Sequence, residues 1–207
     1  GMMGYADGSG SAARFTSPTG VAVDASGNVY VTDLGNETLR KITPAGMVST
    51  LAGSAGVPGS TDGAGRDARF YHPFGVAVES SGNVYVADTY NSTIRRVTAS
   101  GVVTTLAGSA RMVGSADGTG NVARFNAPRG VGTDDSGNLY VADTDNHLLR
   151  KVTAAGVVTT IVGSIGSIGA MPGPLPASLY FPQGIALTAS GDALVTTAQG
   201  VVQITAF

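Results

Sequence analysis

A segment of about 55 residues occurs four times in the 207-residue chain, and this repeat restricts the possible folds more than any other feature of the sequence. The copies open with GVAVDASGNVYVTD at Gly20, GVAVESSGNVYVAD at Gly75, GVGTDDSGNLYVAD at Gly130 and GIALTASGDALVTT at Gly184. In the first three copies the similarity continues through a basic pair into MVSTLAGS, VVTTLAGS or VVTTIVGS. A period of this length is typical of chains that place one supersecondary unit beside the next.

Each copy divides into four short apolar segments, which we label a to d. In the first copy they are 20–24, 28–33, 38–43 and 47–52, separated by Ser-Gly-Asn, an Asp-x-x-Asn stretch and Pro-Ala-Gly. The b segments are apolar without polar alternation, which indicates a sheet that is covered on both faces. The sequence therefore predicts an all-β propeller of four antiparallel blades, each with four strands except the last, which has three.

Composition argues against several classes of function. A net charge of -2 with only 13% charged residues gives no reason to expect binding to nucleic acid or to a membrane. The chain has no cysteine, which excludes disulfides, thiol nucleophiles and thiolate metal sites. No signal peptide is visible at Gly1–Gly4, and the uncharged stretch 152–191 contains too many prolines and glycines for a membrane span. We expect one soluble propeller domain or propeller segment over 1–207, with repeats of about 1–52, 53–107, 108–162 and 163–207.

The pattern shared by the copies is P-x-G-[VI]-A-V-D-x-S-G-N-[VL]-Y-V-A-D-x-x-N-x-x-[IL]-R-[KR]-[VI]. It resembles the NHL repeat of propeller proteins, and the resemblance covers nearly the whole chain. The fourth copy departs from it, with Thr197 at the place of Asp143. The resemblance implies a β-propeller and favours a secreted or periplasmic location. Members of the family include binding modules, scaffolds, lactonases and lyases, so the resemblance is specific for the fold and not for the activity.

The linkers between copies carry a motif, Asp-Gly-x-Gly-x-x-Ala-Arg-Phe, at 7–15, 62–70 and 117–125. One carboxylate recurs in each motif, which is too few for a calcium loop, so we predict no metal site and no cofactor. The Asp-Gly pair is expected to form a turn, and phenylalanines such as Phe70 to pack between blades. The linker from Gly53 to Phe74 exceeds the about 12–15 residues typical of structureless loops, and we expect it to be ordered because its sequence recurs.

An aspartate and an asparagine recur at the end of the b segments. They are Asp33, Asp88 and Asp143 with Asn36, Asn91 and Asn146. A ring of functional acids is one interpretation, but a group present in every copy is better explained as an Asx cap of the b-to-c turn, with Arg40, Arg95 and Arg150 as charge partners. On this interpretation, replacing Asp88 with alanine lowers the free energy of unfolding by about 1 kcal/mol.

Function is more readily sought where the copies differ, on the face that carries the b-to-c loops and the d-to-a linkers, which we call the long-loop face. The candidate binding residues are Thr19, His72, Phe74, Tyr90, Arg129, Asp145, His147 and Gln183. Phe74 and Arg129 should lie nearest the axis, and together the set would line a mixed polar and aromatic depression. For some members a structural role is also open: His72 as a loop residue, Arg129 as a partner of Asp134 or Asp135.

The sequence leaves three functions open. We favour a non-enzymatic binding or scaffolding module that uses the long-loop face for a protein or glycan partner. A hydrolase or lyase with a site at the channel mouth is the second possibility, and a structural repeat segment of a larger surface or secreted protein is the third. Catalysis has less support because the two histidines lack zinc-site spacing and no GxSxG or phosphate loop occurs.

The count of strands predicts an open arc. The chain begins within a linker and ends in a c strand, so it supplies four a, four b, four c and three d strands. The uncovered blade faces would favour a homodimer that forms one larger ring, with Phe207 near the seam, or a longer propeller of which this chain is a segment. A closed four-bladed monomer is the alternative.

Overall fold

The computed structural model describes residues 2–164 and 178–205, which form four antiparallel sheets, the blades. Blade 1 comprises β1 (Gly8–Ser9), β2 (Pro18–Val23), β3 (Val29–Asp33), β4 (Thr38–Ile42) and β5 (Met47–Gly53). Blade 2 comprises β6 (Gly63–Ala64), β7 (Pro73–Val78), β8 (Val84–Asp88), β9 (Thr93–Val97) and β10 (Val102–Gly108). Blade 3 comprises β11 (Gly118–Thr119), β12 (Pro128–Thr133), β13 (Leu139–Asp143), β14 (Leu148–Val152) and β15 (Val157–Val162), and blade 4 comprises β16 (Ile185–Leu187), β17 (Ala193–Thr197) and β18 (Gly200–Ile204).

The predicted propeller fold is confirmed, and the predicted strands agree with the observed ones to within two residues in the first copy. The three-stranded fourth blade is also as predicted. Single 3-10 turns follow the b strands of the first three blades, at Leu34–Asn36, Thr89–Asn91 and Thr144–Asn146. Within the described part of the chain, no helical segment has the length and hydropathy needed to cross a bilayer.

The first three sheets differ from the prediction because each has a fifth strand. In blade 2 this strand is β6, which pairs with the beginning of β10 through Val102 and Val103. The linker that leaves blade 1 at Gly53 therefore descends along the outer edge of blade 2, turns at Gly65–Asp67 and returns to start β7. Local turn signals do not predict this path because the pairing joins residues far apart in sequence. The added strand covers an outer edge that would otherwise expose unpaired backbone groups.

The returning part of the linker packs between the blades. Phe70 is fully buried in a cluster that contains Leu39 and Ala52 of blade 1 and Val84 of blade 2. Phe125 has the same position between blades 2 and 3. The expectation that these phenylalanines pack between blades is confirmed, and the hairpin of each linker acts as a wedge.

Buried ion pairs join each linker to its blade. In blade 2 the Arg95 guanidinium, which has no exposed surface, lies 2.6 Å from the Asp88 carboxylate and 2.7 Å from that of Asp62. It also donates to the backbone carbonyls of Arg69 and Thr61. The equivalent groups are Asp33, Arg40 and Asp7 in blade 1 and Asp143, Arg150 and Asp117 in blade 3. The predicted arginine partners are confirmed, and the linker aspartates, expected only in a turn, are second partners.

The predicted Asx cap is wrong in its geometry. No side-chain hydrogen bond caps the 3-10 turn that follows Asp88. One oxygen of Asp88 instead accepts the backbone N–H of Tyr71, at 2.7 Å, and the other accepts the side-chain amide of Asn91. That amide also donates to the carbonyl of Gly59 in the linker. The recurring polar groups therefore fix the linker to the blade, and the b-to-c turn takes part through the Asn91 side chain and not through a capped backbone.

The a strands lie side by side near the axis and approach closely. Gly75 has no room for a side chain, because an added Cβ would overlap the carbonyl oxygen of Arg129. Gly130 stands in the same relation to Gln183 of the next blade. The close approach brings the starts of the a strands of all four blades around one groove.

Blade 1 has an apolar face that no described residue covers. Val21 is 66% exposed, whereas its counterparts Val76 and Val131 are 7% and 6% exposed because the preceding blade covers them. Val23 on the same strand is 59% exposed. We call the surface formed by Val21, Val23, Val29 and Val31 the leading face of blade 1.

Candidate functional site

The eight predicted binding residues all lie on the long-loop face, where the b strands end and the a strands begin. The pairing of Pro73 with Asp88 and of Pro128 with Asp143 fixes this arrangement in blades 2 and 3. The structure divides the eight residues among three places: a groove at the axis, the junctions between blades, and a cleft between blades 2 and 3.

Four of the predicted residues surround the axis groove. Its volume is about 160 Å³, and Thr19, Phe74 and Gln183 line it. The hydroxyl of Thr19 donates to the carbonyl of Phe74 at 2.9 Å. The guanidinium of Arg129 lies 5.4 Å from the centre of the Phe74 ring, a cation–π arrangement. A space of this size is smaller than typical ligand pockets, so it suits a single side chain or a small polar group.

The alternative partner for Arg129 is excluded by the fold. Asp134 follows β12 at the opposite end of the blade, whereas Arg129 lies at its start. The Asp134 carboxylate accepts the N–H groups of Ser136 and Asn138 and the hydroxyl of Tyr140. These bonds lower the pKa of Asp134, although its partial burial opposes them. Asp134 thus stabilises the tight a-to-b turn.

The two histidines lie in junctions between blades. Each junction opposes two residues with left-handed backbone, one after the 3-10 turn of a blade and one before the first proline of the next. In the first junction the His72 N–H donates to the Glu37 carboxylate at 2.5 Å, and the ring Nε2 lies 3.5 Å from the other oxygen. In the third junction the Phe181 N–H donates to Nδ1 of His147 at 3.1 Å. A side chain from one blade thereby fixes the backbone of the next.

The carboxyl group of Glu37 is buried beneath this junction. Burial raises its pKa, and the hydrogen bond from the backbone N–H of His72 partly offsets the increase. The structural interpretation of His72 therefore has support from its contacts. Its ring also contacts Tyr90, with centroids 4.3 Å apart, so one side of the junction continues into the neighbouring cleft.

The second junction is open. Ser92 and Ala127 occupy the positions that hold Glu37 with His72 in the first junction and His147 with Phe181 in the third. A cleft of about 270 Å³ lies here, which we call the junction cleft. Its lining includes Tyr71, Tyr90, Ser92, Asn126, Ala127 and Asp145. The cleft thus exists where the smallest pair of side chains faces each other.

Two tyrosines form one wall of the junction cleft. Tyr71 and Tyr90 meet edge to face, with ring centroids 5.1 Å apart and planes at 85°. Tyr90 is 53% exposed although it contacts both Tyr71 and His72. The other wall carries Asn126 and the exposed carboxylate of Asp145. Tyr90 and Asp145 are predicted site residues that the structure brings to one cleft.

The sequence prediction missed Tyr71 and Asn126. They occupy one repeat position, which is Thr16 in the first copy and Tyr180 in the fourth. This position holds three residue types in the four copies, and that variation would have identified both residues. A further cleft, of about 350 Å³, lies between blades 3 and 4 on the opposite face, beside Thr133, Asp134 and Leu187. Residues 2–164 and 178–205 contain no group of three or more His, Asp or Glu side chains placed to hold a metal ion.

Known proteins resemble this chain in sequence. The family model "NHL repeat" matches residues 15–42 and 125–152, and "Teneurin NHL domain" matches 57–117. NHL repeat-containing protein 2 of Bos taurus is 36% identical over an alignment of 156 residues that covers 67% of this chain and 21% of that protein. The chloroplastic protein SUPPRESSOR OF QUENCHING 1 of Arabidopsis thaliana is 31% identical over an alignment of 150 residues that covers 67% of this chain and 14% of that protein. The chain thus spans about a fifth or less of these relatives.

Solved propellers show the same fold at low identity. A Bacteroides thetaiotaomicron protein of unknown function superposes with a TM-score of 0.74 at 24% identity, over 90% of this chain and 46% of the other. An auxiliary nutrient binding protein from Bacteroides ovatus gives 0.70 at 20% identity, over 92% and 49%. A streptogramin B lyase gives 0.62 at 14% identity, over 91% and 54%. Proteins with this architecture therefore include binding proteins and enzymes.

Proposed function

The chain belongs to the NHL-repeat β-propeller family, and from this premise we propose that it is a non-enzymatic binding module whose long-loop face receives the partner. The family fold supplies a rigid support, and members of one fold differ in the loops that the support presents.

One observation carries the proposal: recurring and variable polar residues have separate places. The recurring aspartates and arginines, such as Asp88 and Arg95, are fully buried and bonded to the linkers. The residues that differ between copies gather on the long-loop face, with exposed groups such as Tyr90 and Asp145. Exposed aromatic rings on a rigid support are characteristic of recognition surfaces.

A partner would meet the long-loop face at two neighbouring depressions. Phe74 and Arg129 stack at the axis groove, and Tyr71 and Tyr90 stand at the junction cleft. Both depressions mix aromatic and polar groups, as binding sites commonly do. A protein loop or a glycan chain is long enough to occupy both.

A hydrolase or lyase is the second candidate, and the contact between Glu37 and His72 favours it. A carboxyl group with a raised pKa beside an imidazole is a common arrangement for general acid–base catalysis. The Glu37 carboxylate, however, already accepts the backbone N–H of His72, which gives it a structural task. Hydrolysis of a lactone or ester that is abolished by Glu37→Gln, in a variant that melts as the parent does, would favour the enzyme over the binding module.

The binding function is tested by locating where partners contact the chain. We would record amide NMR shifts of the labelled protein while adding panels of short peptides and oligosaccharides. The expected shifts lie in 71–74, 89–92, 126–129 and 144–147. Ser26→Ala, on the opposite face, should leave binding unchanged. Shifts confined to the Ser26-Gly27-Asn28 side, or none with any panel member, would contradict the proposal.

A further inference from the structure

We propose that the junction cleft is a subsite for one neutral sugar residue of a glycan. This subsite rests on the binding function proposed above and assigns it a ligand class. The inference depends on the shape of the cleft, its aromatic wall and the unpaired polar groups around it.

The shape of the cleft follows from two small residues. In the first and third junctions a side chain from one blade accepts the backbone N–H of the next, at His72 and Phe181. In the second junction Ser92 provides no such bond, and no group among the described residues accepts the N–H of Ala127. The cleft therefore offers space together with a free backbone donor. Its volume of about 270 Å³ is at the lower limit for ligand pockets, which suits one ring of a longer molecule.

The aromatic wall is prearranged. The Tyr90 ring packs against both Tyr71 and His72, with centroids 5.1 Å and 4.3 Å away, and those two rings also contact each other. About half of the Tyr90 surface nevertheless remains exposed. A sugar ring presents C–H groups on its faces, and these groups pack against the negative face of an aromatic ring. A ring already fixed by its neighbours loses little conformational entropy when a ligand stacks on it.

The opposite wall supplies donors and acceptors together. The Asp145 carboxylate is exposed and makes no ion pair with any residue in 2–164 or 178–205. The backbone N–H of Asp145 is bonded to the carbonyl of Asn126, so the two residues are held side by side at 3.1 Å. No described group bonds to the Asn126 side-chain amide, which both donates and accepts.

This combination favours a neutral polyhydroxyl ligand over a charged one. An anion would be repelled by Asp145. A cationic side chain would find one carboxylate but would oppose the donors of Ala127 and Asn126. Adjacent sugar hydroxyls donate to the carboxylate and accept from these N–H groups, so they match the carboxylate, the amide and the free backbone donor of the cleft.

The subsite is tested by titrating the protein with neutral hexoses, pentoses and their short oligomers, following amide shifts and heats of binding. We expect shifts at Tyr71, Tyr90, Ala127 and Asp145, and tighter binding for oligomers than for single sugars. Tyr90→Ala and Asp145→Ala should each weaken binding about tenfold or more. Tyr5→Ala removes a similarly exposed tyrosine outside the cleft and should change nothing.

A second variant fills the cleft by enlarging Ser92 and Ala127, and it keeps the tyrosine wall and the wall of Asn126 and Asp145. The double change Ser92→Glu with Ala127→His recreates the pair found in the first junction. The fold should persist, and sugar binding should be lost. Sugar binding that survives this double variant and Tyr90→Ala would overturn the subsite.

The outcomes separate this inference from the binding function itself. If sugars give no response while a peptide shifts amides elsewhere on the long-loop face, the sugar subsite is wrong and the binding module stands. If neither sugars nor peptides contact the long-loop face, both proposals fail.

Discussion

At the scale of single residues, the c-strand arginine of blades 1 to 3 determines which polar groups those blades can vary. Arg95 is fully buried, and four of its N–H groups meet two carboxylates and two carbonyls, while its Nε has no partner. A buried guanidinium stays charged at any accessible pH. Its carboxylate partners are therefore required in every complete blade.

Asp88→Ala should lower the free energy of unfolding by about 3–5 kcal/mol, because it leaves the charge of Arg95 buried beside one remaining, partly exposed carboxylate. This exceeds the about 1 kcal/mol expected for loss of a turn cap. Urea denaturation provides the measurement. Asp145→Ala, two residues after the corresponding aspartate of blade 3, is exposed and should stay within about 0.5 kcal/mol of the parent. A loss near 1 kcal/mol for Asp88→Ala would show that Arg95 finds other compensation.

The same aspartates should also make the stability of the fold depend on pH. Burial raises the pKa of Asp88 to about 6, against a partial lowering by Arg95, and that of Asp143 likewise to about 6. A carboxyl group with a raised pKa in the folded state stabilises the fold below the unfolded pKa of 3.8 and loses that contribution as pH rises through about 6.

The stability advantage of the parent over Asp88→Asn should therefore shrink between pH 4 and pH 7. Denaturant melts of both proteins at several pH values measure it, and the comparison cancels groups common to both. Among these are Asp24, whose bonds to Asn28 lower its pKa, and Glu79, whose bonds to Ser81 and Asn83 outweigh burial and lower its pKa. An advantage that grows with pH would contradict the raised pKa of Asp88.

The sequence identified the residue types of the site better than their contacts. Repetition separated Asp88 from Asp145, and both assignments agree with their burial. It did not reveal that Asp62 lies beside Arg95, because the two are joined across a linker whose path has no local signal. The junction cleft arises from Ser92 and Ala127, which belong to different blades, so neither residue alone indicates it.

At the scale of elements, the linker is a structural part of the blade that follows it. Its hairpin places β6 on the outer edge of blade 2 and Phe70 between blades 1 and 2. The strands were predictable because turn residues bound them on both sides. The fifth strand was not, since two residues such as Gly63 and Ala64 carry no strand pattern and pair only because the linker hairpin sets them beside β10.

Phe125→Ala should destabilise the protein by about 3–5 kcal/mol, because it opens a cavity between blades 2 and 3. Val122→Ala is the matched control: Val122 lies in the same linker but is 61% exposed, so its replacement should cost within about 0.5 kcal/mol. Thermal and urea melts compare the two. Equal effects would show that the wedge is not the source of contact between the blades.

At the scale of the whole molecule, we expect the leading face of blade 1 to govern association in solution. The exposed Val21 and Val23, beside the half-buried Val29 and Val31, form an apolar surface suited to association. The proposal that two copies form a dimer remains a prediction, and its suggested seam at Phe207 lies outside the described residues. Counting the repeats was enough to predict this surface, because an uncovered face belongs to a blade that has no neighbour on one side.

The chain should show a mass above 20.6 kDa by light scattering, increasing with concentration, because the leading face of blade 1 would be covered in a dimer. Val21→Lys with Val23→Glu should return it to the mass of one chain. The pair Val113→Lys with Val122→Glu changes valines that are exposed away from the leading face and should leave the mass unchanged. A single species at 20.6 kDa for the parent at all concentrations would contradict the prediction.

The wedge hairpin also makes each blade with its own linker an exchangeable cassette. Residues 59–108 supply the fifth strand, the wedge and every other strand of blade 2 without a contribution from elsewhere in the chain. Duplication of such a stretch adds a blade together with the strand that covers its outer edge and the phenylalanine that packs it against the previous blade. Propellers of different sizes can therefore arise by copying this unit, and an engineer who grafts or deletes blades should cut in 54–58, where the linker leaves one blade and has not yet joined the next.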